Sequence, residues 1–253
     1  MPHRALSIDE LAVYLHLPRE DVDRLVRESD LPRVMRGGRM LFQRAEVDAW
    51  ASQRIIGLPD ERLEAYHQKT MRGTREVLPD GALVPQLLAP AWIDLALRSK
   101  TKGSVLRDMV ALAERTGQVL DPRELLESIE AREALCSTAL PGGLALLHAR
   151  HHAEYRFETS FLVLGRTVQA LPFGAPDGRS TQLFFLLCCQ DERLHLHTLA
   201  RLCVMGMKTK MIDGLFAAES AAEAYEVLVA AEGDVLPEKP GGEKARSKRR
   251  RDG

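Results

Sequence analysis

The chain has 253 residues, enough for two modest domains that each bury a core. Apolar residues make up 45% and charged residues 28%; a net charge of -1 excludes any global field toward nucleic acid or an anionic membrane, leaving only local patches. The four cysteines lack CxxC spacing, and neither a signal-peptide core nor a transmembrane-length apolar run occurs, so a cytoplasmic protein with reduced thiols and no membrane contact is expected.

In chain order, Ser7 with Glu10 three residues on is a capping-box signature opening a helix in which Leu11 and Leu15 recur at helical spacing. Pro18 opens a second helix to about Ser29, with Val22, Leu25 and Val26 on one face, and Leu31-Pro32 stops it. Residues 33–42 read as two short strands about Gly37-Gly38, the sign of a hairpin or wing. Arg44 to Gln53 is helical, striped by Val47 and Trp50. These elements set a first domain at 1–54. Turn formers around one charged helical stretch, Asp60–Gln68, then mark 55–80 as a linker.

From 81 to 232 the pattern changes. Helix signals fall at about 91–98, 102–117 and 122–133, then strand candidates at Leu144–Leu147, Ser160–Leu164 and Gln182–Cys189. Helices return at Leu194–Val204, Thr209–Phe216 and Ser220–Ala230. Helices on both sides of central strands predict a layered α/β domain with a mixed β-sheet flanked by helices. Residues 233–253 are polar, carry the basic cluster Lys244–Arg251, and read as a disordered tail.

The segment 132–150 carries the main chemical signal. A helix ends near Arg132-Glu133, a loop with Ser137, Thr138, Gly142 and Gly143 follows, and a short apolar strand delivers His148 at its end. This suits phosphoryl transfer: a neutral imidazole is a nucleophile near physiological pH, an arginine holds phosphate oxygens bidentately, and hydroxyls and loop N–H groups satisfy the rest. His151 and His152 invite a metal with His148, but no suitably spaced cysteine or carboxylate accompanies them, so neither metal nor cofactor is expected.

On these residues the stretch resembles the IIA domain of the fructose/mannitol class of the bacterial sugar phosphotransferase system, including its nitrogen-regulatory branch. The likeness continues in His195-Leu196-His197-Thr198-Leu199-Ala200 downstream, and in Leu83–Leu97 followed by Lys102–Leu106, which resemble the family's first strand and helix. It covers about 150 residues in ordered blocks. It implies that His148 is the phosphoacceptor and that His195 lies beside it. Arg132 would neutralise phosphate charge, with Thr138 and Ser137 lining the same pocket. The implied partner is the histidine phosphocarrier HPr or a paralogue. Two departures stand out: Leu147 occupies a position where the family has proline, and Ala139-Leu140-Pro141 replaces a more glycine-rich loop.

The first 54 residues resemble the excisionase-type winged helix-turn-helix, in which the second helix enters the major groove and the wing meets phosphates. Arg33, Arg36 and Arg39 in the wing and Arg24 and Arg27 on the second helix are the DNA-binding candidates; Glu20, Asp21, Asp23 and Glu28 on that helix oppose binding. With no transport domain in the sequence, a regulatory phosphohistidine carrier is expected. The alternative is a DNA-binding transcription regulator whose IIA-like domain is a degenerate sensing or dimerisation scaffold.

Overall fold

The capping box expected at Ser7 forms: its hydroxyl accepts from the Glu10 backbone N–H at 3.3 Å, and its own N–H donates to the Glu10 carboxylate at 2.8 Å. The computed structural model describes residues 5–15, 18–56, 60–73, 82–150 and 157–236. Strand β1 (Ala5–Leu6) leads into helix α1 (Ile8–Tyr14), and α2 (Arg19–Glu28) starts behind Pro18. The wing is β2 (Val34–Arg36) and β3 (Arg39–Gln43), joined at Gly37 and Gly38 with φ of +58° and +73°, the left-handed pair a two-residue hairpin turn requires. β3 is central in a three-stranded antiparallel sheet, β1-β3-β2.

Helix α3 (Arg44–Ile56) follows β3 directly, and α4 (Asp60–Gly73) occupies the stretch expected to connect the domains. That stretch is a packed element. Leu63 and His67, one turn apart on α4, are buried, as are Ala51, Ser52 and Ile55 on α3.

The second layer system begins with the short α5 (Val84–Leu87) and a 3₁₀ turn, Pro90–Trp92, that opens β4 (Ile93–Leu97). Residues 91–98, expected to be helical, are therefore mostly strand: Ile93, Leu95 and Leu97 alternate, and β4 pairs in parallel with β7. A tertiary partner outweighs the helix start that Pro90 suggests. Helices α6 (Lys102–Glu114) and α7 (Pro122–Glu133) precede β5 (Ala139–Leu140) and β6 (Leu144–His148). β7 (Phe161–Leu171) and β8 (Thr181–Cys188) follow, then α8 (Glu192–Lys208), α9 (Met211–Ala217) and α10 (Ala221–Val235). α10 runs past the expected boundary at 232.

The sheet is mixed, ordered β4-β7-β8-β6-β5, with β6 parallel to β8 and β7 antiparallel to it. Its two faces carry separate cores. Leu97, Ala145, Leu147, Val163, Phe184 and Leu186 pack with α6 and α7. Leu144, Leu146, Leu162, Phe185 and Leu187 pack with α8, and that same core runs on without interruption through α3 and α4 into the helix-turn-helix module. No helix among the described residues is long and apolar enough to cross a membrane.

Candidate functional site

Strand parity places His148. Side chains on β6 alternate, so His148 shares a face with Leu144 and Leu146, the face covered by α8. Leu147 points the other way, fully buried beneath α6 and α7 and paired in register with Leu186. His148 is the last strand residue, at the carboxyl end of the parallel pair β6 and β8, where α/β sheets collect their functional groups. Arg132 lies in the last turn of α7 and His195 in the first turn of α8, helices packed on opposite faces of the sheet.

The hydrogen bonds define the imidazole's tautomer. Arg132 Nε donates to His148 Nε2 at 3.0 Å, and His148 Nδ1 lies 2.8 Å from the Leu146 carbonyl. A guanidinium only donates and a carbonyl only accepts, so Nδ1 carries the proton and Nε2 presents its lone pair. The His195 ring is tilted at 51° with its centroid 5.0 Å from that of His148. Arg132 is buried, donates Nη1 to the Cys136 carbonyl at 3.2 Å, and has no hydrogen-bond partner for Nη2 among the described residues. A buried N–H without a partner costs on the order of 1–3 kcal/mol. A guanidinium N–H in that condition can donate to an anion.

Ser137 and Thr138 have other work. Ser137 Oγ donates to the Phe173 carbonyl at 2.7 Å and accepts from Ala139 N at 3.1 Å. Thr138 Oγ1 donates to Glu133 Oε2 at 2.7 Å, and the same carboxylate accepts the Thr138 N–H at 3.1 Å. Lys102 Nζ sits 2.7 Å from Glu133 Oε1, giving this buried carboxylate its counter-ion. Both hydroxyls thus secure the loop between α7 and β5. That loop ends in a hairpin: Ala139-Leu140 pairs antiparallel with Leu144-Ala145 around Gly142 and Gly143, both at φ +88°.

A second cluster escaped the sequence reading. Arg201 on α8 donates Nε to His67 Nε2 at 2.5 Å and Nη1 to Glu232 Oε1 at 2.6 Å, and its Nη2 lies 3.3 Å from His197 Nε2. The His67 and His197 rings stack with centroids 5.5 Å apart. Burial, then the Arg201 charge, pushes His67 down to about 4 and His197 down to about 3. Glu232 also accepts the backbone N–H groups of Leu83 and Val84, tying α10 to the start of the α/β domain. Only the four-residue spacing of His197 and Arg201 hints at this in the sequence; nothing points to His67.

The DNA-binding candidates are dispersed. Arg36 and Arg39 are exposed on the wing. Arg33 is turned back onto the Val26 carbonyl, Arg27 Nε bonds the Asp23 carbonyl at 3.2 Å, and Arg24 lies 4.0 Å from Asp21. His151, His152 and the basic cluster Lys244–Arg251 lie outside the described residues. Among the described residues no group of histidine, cysteine and carboxylate side chains has metal-binding geometry.

Fold and site together define a helix-turn-helix domain joined to a sugar-phosphotransferase IIA-type domain. The family described as "Phosphoenolpyruvate-dependent sugar phosphotransferase system, EIIA 2" matches residues 86–231, and "Helix-turn-helix domain" matches 5–55. The chain is 27% identical over 146 residues to a nitrogen regulatory protein of Pseudomonas aeruginosa, covering 57% of this chain and 93% of that one. It is 26% identical over 147 residues to the PTS system fructose-specific EIIABC component of Bacillus subtilis, covering 57% of this chain and spanning only 23% of that relative. The crystal structure of the nitrogen regulatory protein IIA-Ntr from Neisseria meningitidis matches with a TM-score of 0.53 at 28% identity, over 58% of this chain and 99% of that one. The chain belongs to the EIIA 2 family of the phosphoenolpyruvate-dependent sugar phosphotransferase system.

Proposed function

We propose that this protein is a regulatory IIA-type phosphocarrier that accepts a phosphoryl group on His148 Nε2 and couples that state to its helix-turn-helix module. The observation that carries the reading is the Arg132 Nε–His148 Nε2 hydrogen bond together with the Nδ1 contact to Leu146, which leave a neutral imidazole with its nucleophilic nitrogen beside a guanidinium. The donor is a phosphohistidine on HPr or a paralogue. The Nε2 lone pair attacks phosphorus in line, the phosphorus–nitrogen bond to the donor imidazole breaks, and the departing ring keeps that electron pair. As Nε2 becomes bonded, Arg132 keeps its proton and redirects the Nε–H hydrogen bond from Nε2 to a phosphoryl oxygen, and Nη2 supplies a second hydrogen bond. The Leu146 carbonyl holds the Nδ1 proton while positive charge develops on the ring. Incubating the full chain with labelled phosphoenolpyruvate, the upstream enzyme and HPr should give an acid-labile label on His148. No label on the wild type, or equal label on His148→Ala, sinks the reading.

A second reading is favoured by β5: the loop before β6 is fastened as an edge strand, and the pocket is closed. On that reading the α/β domain is an unphosphorylated scaffold for a DNA-binding regulator. The same labelling experiment separates the two.

A further inference from the structure

His148 is 1% exposed and His195 is fully buried. In-line phosphoryl transfer requires the donor's phosphorus to come within about 3–3.5 Å of Nε2 along its lone pair. No protein-borne phosphohistidine reaches a ring in that condition, so an element covering the site has to move. Arg132, Leu146 and His195 belong to the α/β domain and hold the nucleophile in place. Helix α3 comes from the other domain. Its Ser52 is 3% exposed and places Oγ 3.2 Å from His195 Nε2, 143 residues away in the chain. Ala51 and Ile55 flank Ser52 within the same continuous core, and α4 extends the contact along α8 through Leu63 and His67.

We infer that α3 occupies the phosphodonor's docking face, so that seating of the helix-turn-helix module on α8 and phosphorylation of His148 exclude one another. This rests on the phosphoacceptor reading above and gives it a direction. The seated state has Ser52 on His195 and a shielded nucleophile; the unseated state opens His148 to a phosphohistidine protein. A phosphoryl group bearing nearly two negative charges cannot stay desolvated under the apolar side chains of α3, so its arrival holds the module away. The donor binds only the open fraction, and the apparent transfer rate is reduced by that fraction.

The test uses the full chain. Ser52→Glu places a charge in the α3–α8 seam, and Ser52→Ala removes the hydroxyl while keeping the helix packed. Carbethoxylation of His148 and His195 by diethyl pyrocarbonate, read by mass spectrometry, measures cover without any phosphodonor. The wild type should be protected, with Ser52→Glu modified at least about tenfold faster and Ser52→Ala within about threefold of wild type. Initial phosphoryl transfer from phosphorylated HPr should rise in the same order. Hydrogen exchange in α3 and α4 of the wild type should quicken on phosphorylation. Should Ser52→Glu fail to fold, the wild-type protection and exchange measurements decide. Equal modification of wild type and Ser52→Glu, or α3 exchange unchanged by phosphorylation, overturns the inference. Absence of label in every variant overturns the phosphoacceptor reading instead, while the carbethoxylation rates still report whether α3 is the cover.

Discussion

Two clusters in this molecule are assembled from the same parts, a buried arginine and two histidines, and they are left in opposite conditions. Around Arg201 the donors meet His67, His197 and the Glu232 carboxylate. Around Arg132 they meet His148 Nε2 and the backbone at Cys136, and Nη2 stays unspent among the described residues. The neighbouring carboxylate, Glu133, is engaged by Lys102 and Thr138. A neutralised arginine holds helices together. One without a carboxylate partner is suited to receive an anion.

That contrast can be broken from either side. The largest effect is expected at Glu232→Ala, which leaves Arg201 buried without its counter-ion and costs about 3–5 kcal/mol in a chemical denaturation curve. Next, Arg132→Gln should lower the phosphoryl-transfer rate about 10²-fold or more while costing far less stability than Glu232→Ala. A loss of transfer no greater than twofold would show that Arg132 is only structural.

The third effect is on pH. Both His67 and His197 have folded-state values below the ordinary 6.5, at about 4 and about 3. Their neutral forms are therefore the ones the fold accepts. Their contribution is complete above about pH 6.5 and is lost as pH falls toward those values. Each histidine should remove up to about 1.4 kcal/mol per pH unit across that window. Unfolding free energies at pH 7 and pH 5 should differ accordingly, and His67→Phe should show a shallower loss; an equal slope in that variant would remove His67 from the account. The smallest effect is on the wing: if the module binds DNA, Arg36→Ala with Arg39→Ala should reduce the salt slope of binding by roughly 2, and an unchanged slope would move the contact elsewhere.

The site was legible in the sequence where its chemistry is local in pattern. Arg132 in the last turn of a helix, His148 at a strand end and His195 in the first turn of a helix are each marked by position, and the fold brings them together. Ser137 and Thr138 carry the right groups but are spent on Phe173 and Glu133, because loop residues satisfy their own backbone first. The mixed sheet and its flanking helices followed from periodicity. β4 did not: it is only five residues long and follows the helix-opening Pro90, and its identity depends on pairing with β7. The charged pattern of residues 60–68 read as a linker because two buried positions, Leu63 and His67, are too few to signal a docking helix.

Leu147 shows a departure absorbed. Where the family resemblance calls for proline, leucine keeps its backbone N–H and fills the core beneath α6 and α7.

The bonds that seat the first domain have a consequence for how the chain is made. The contacts of α3 and α4 with α8 span 143 and 134 residues, and Arg201 gains its carboxylate only when Glu232 has been synthesised. The strand pairs and the capping box of the helix-turn-helix are local in sequence, whereas the partners of α3 and α4 on α8 are made much later. Docking of α3 and α4 therefore waits for α8 to be made, and the His67–Arg201–Glu232 set closes only once α10 has followed.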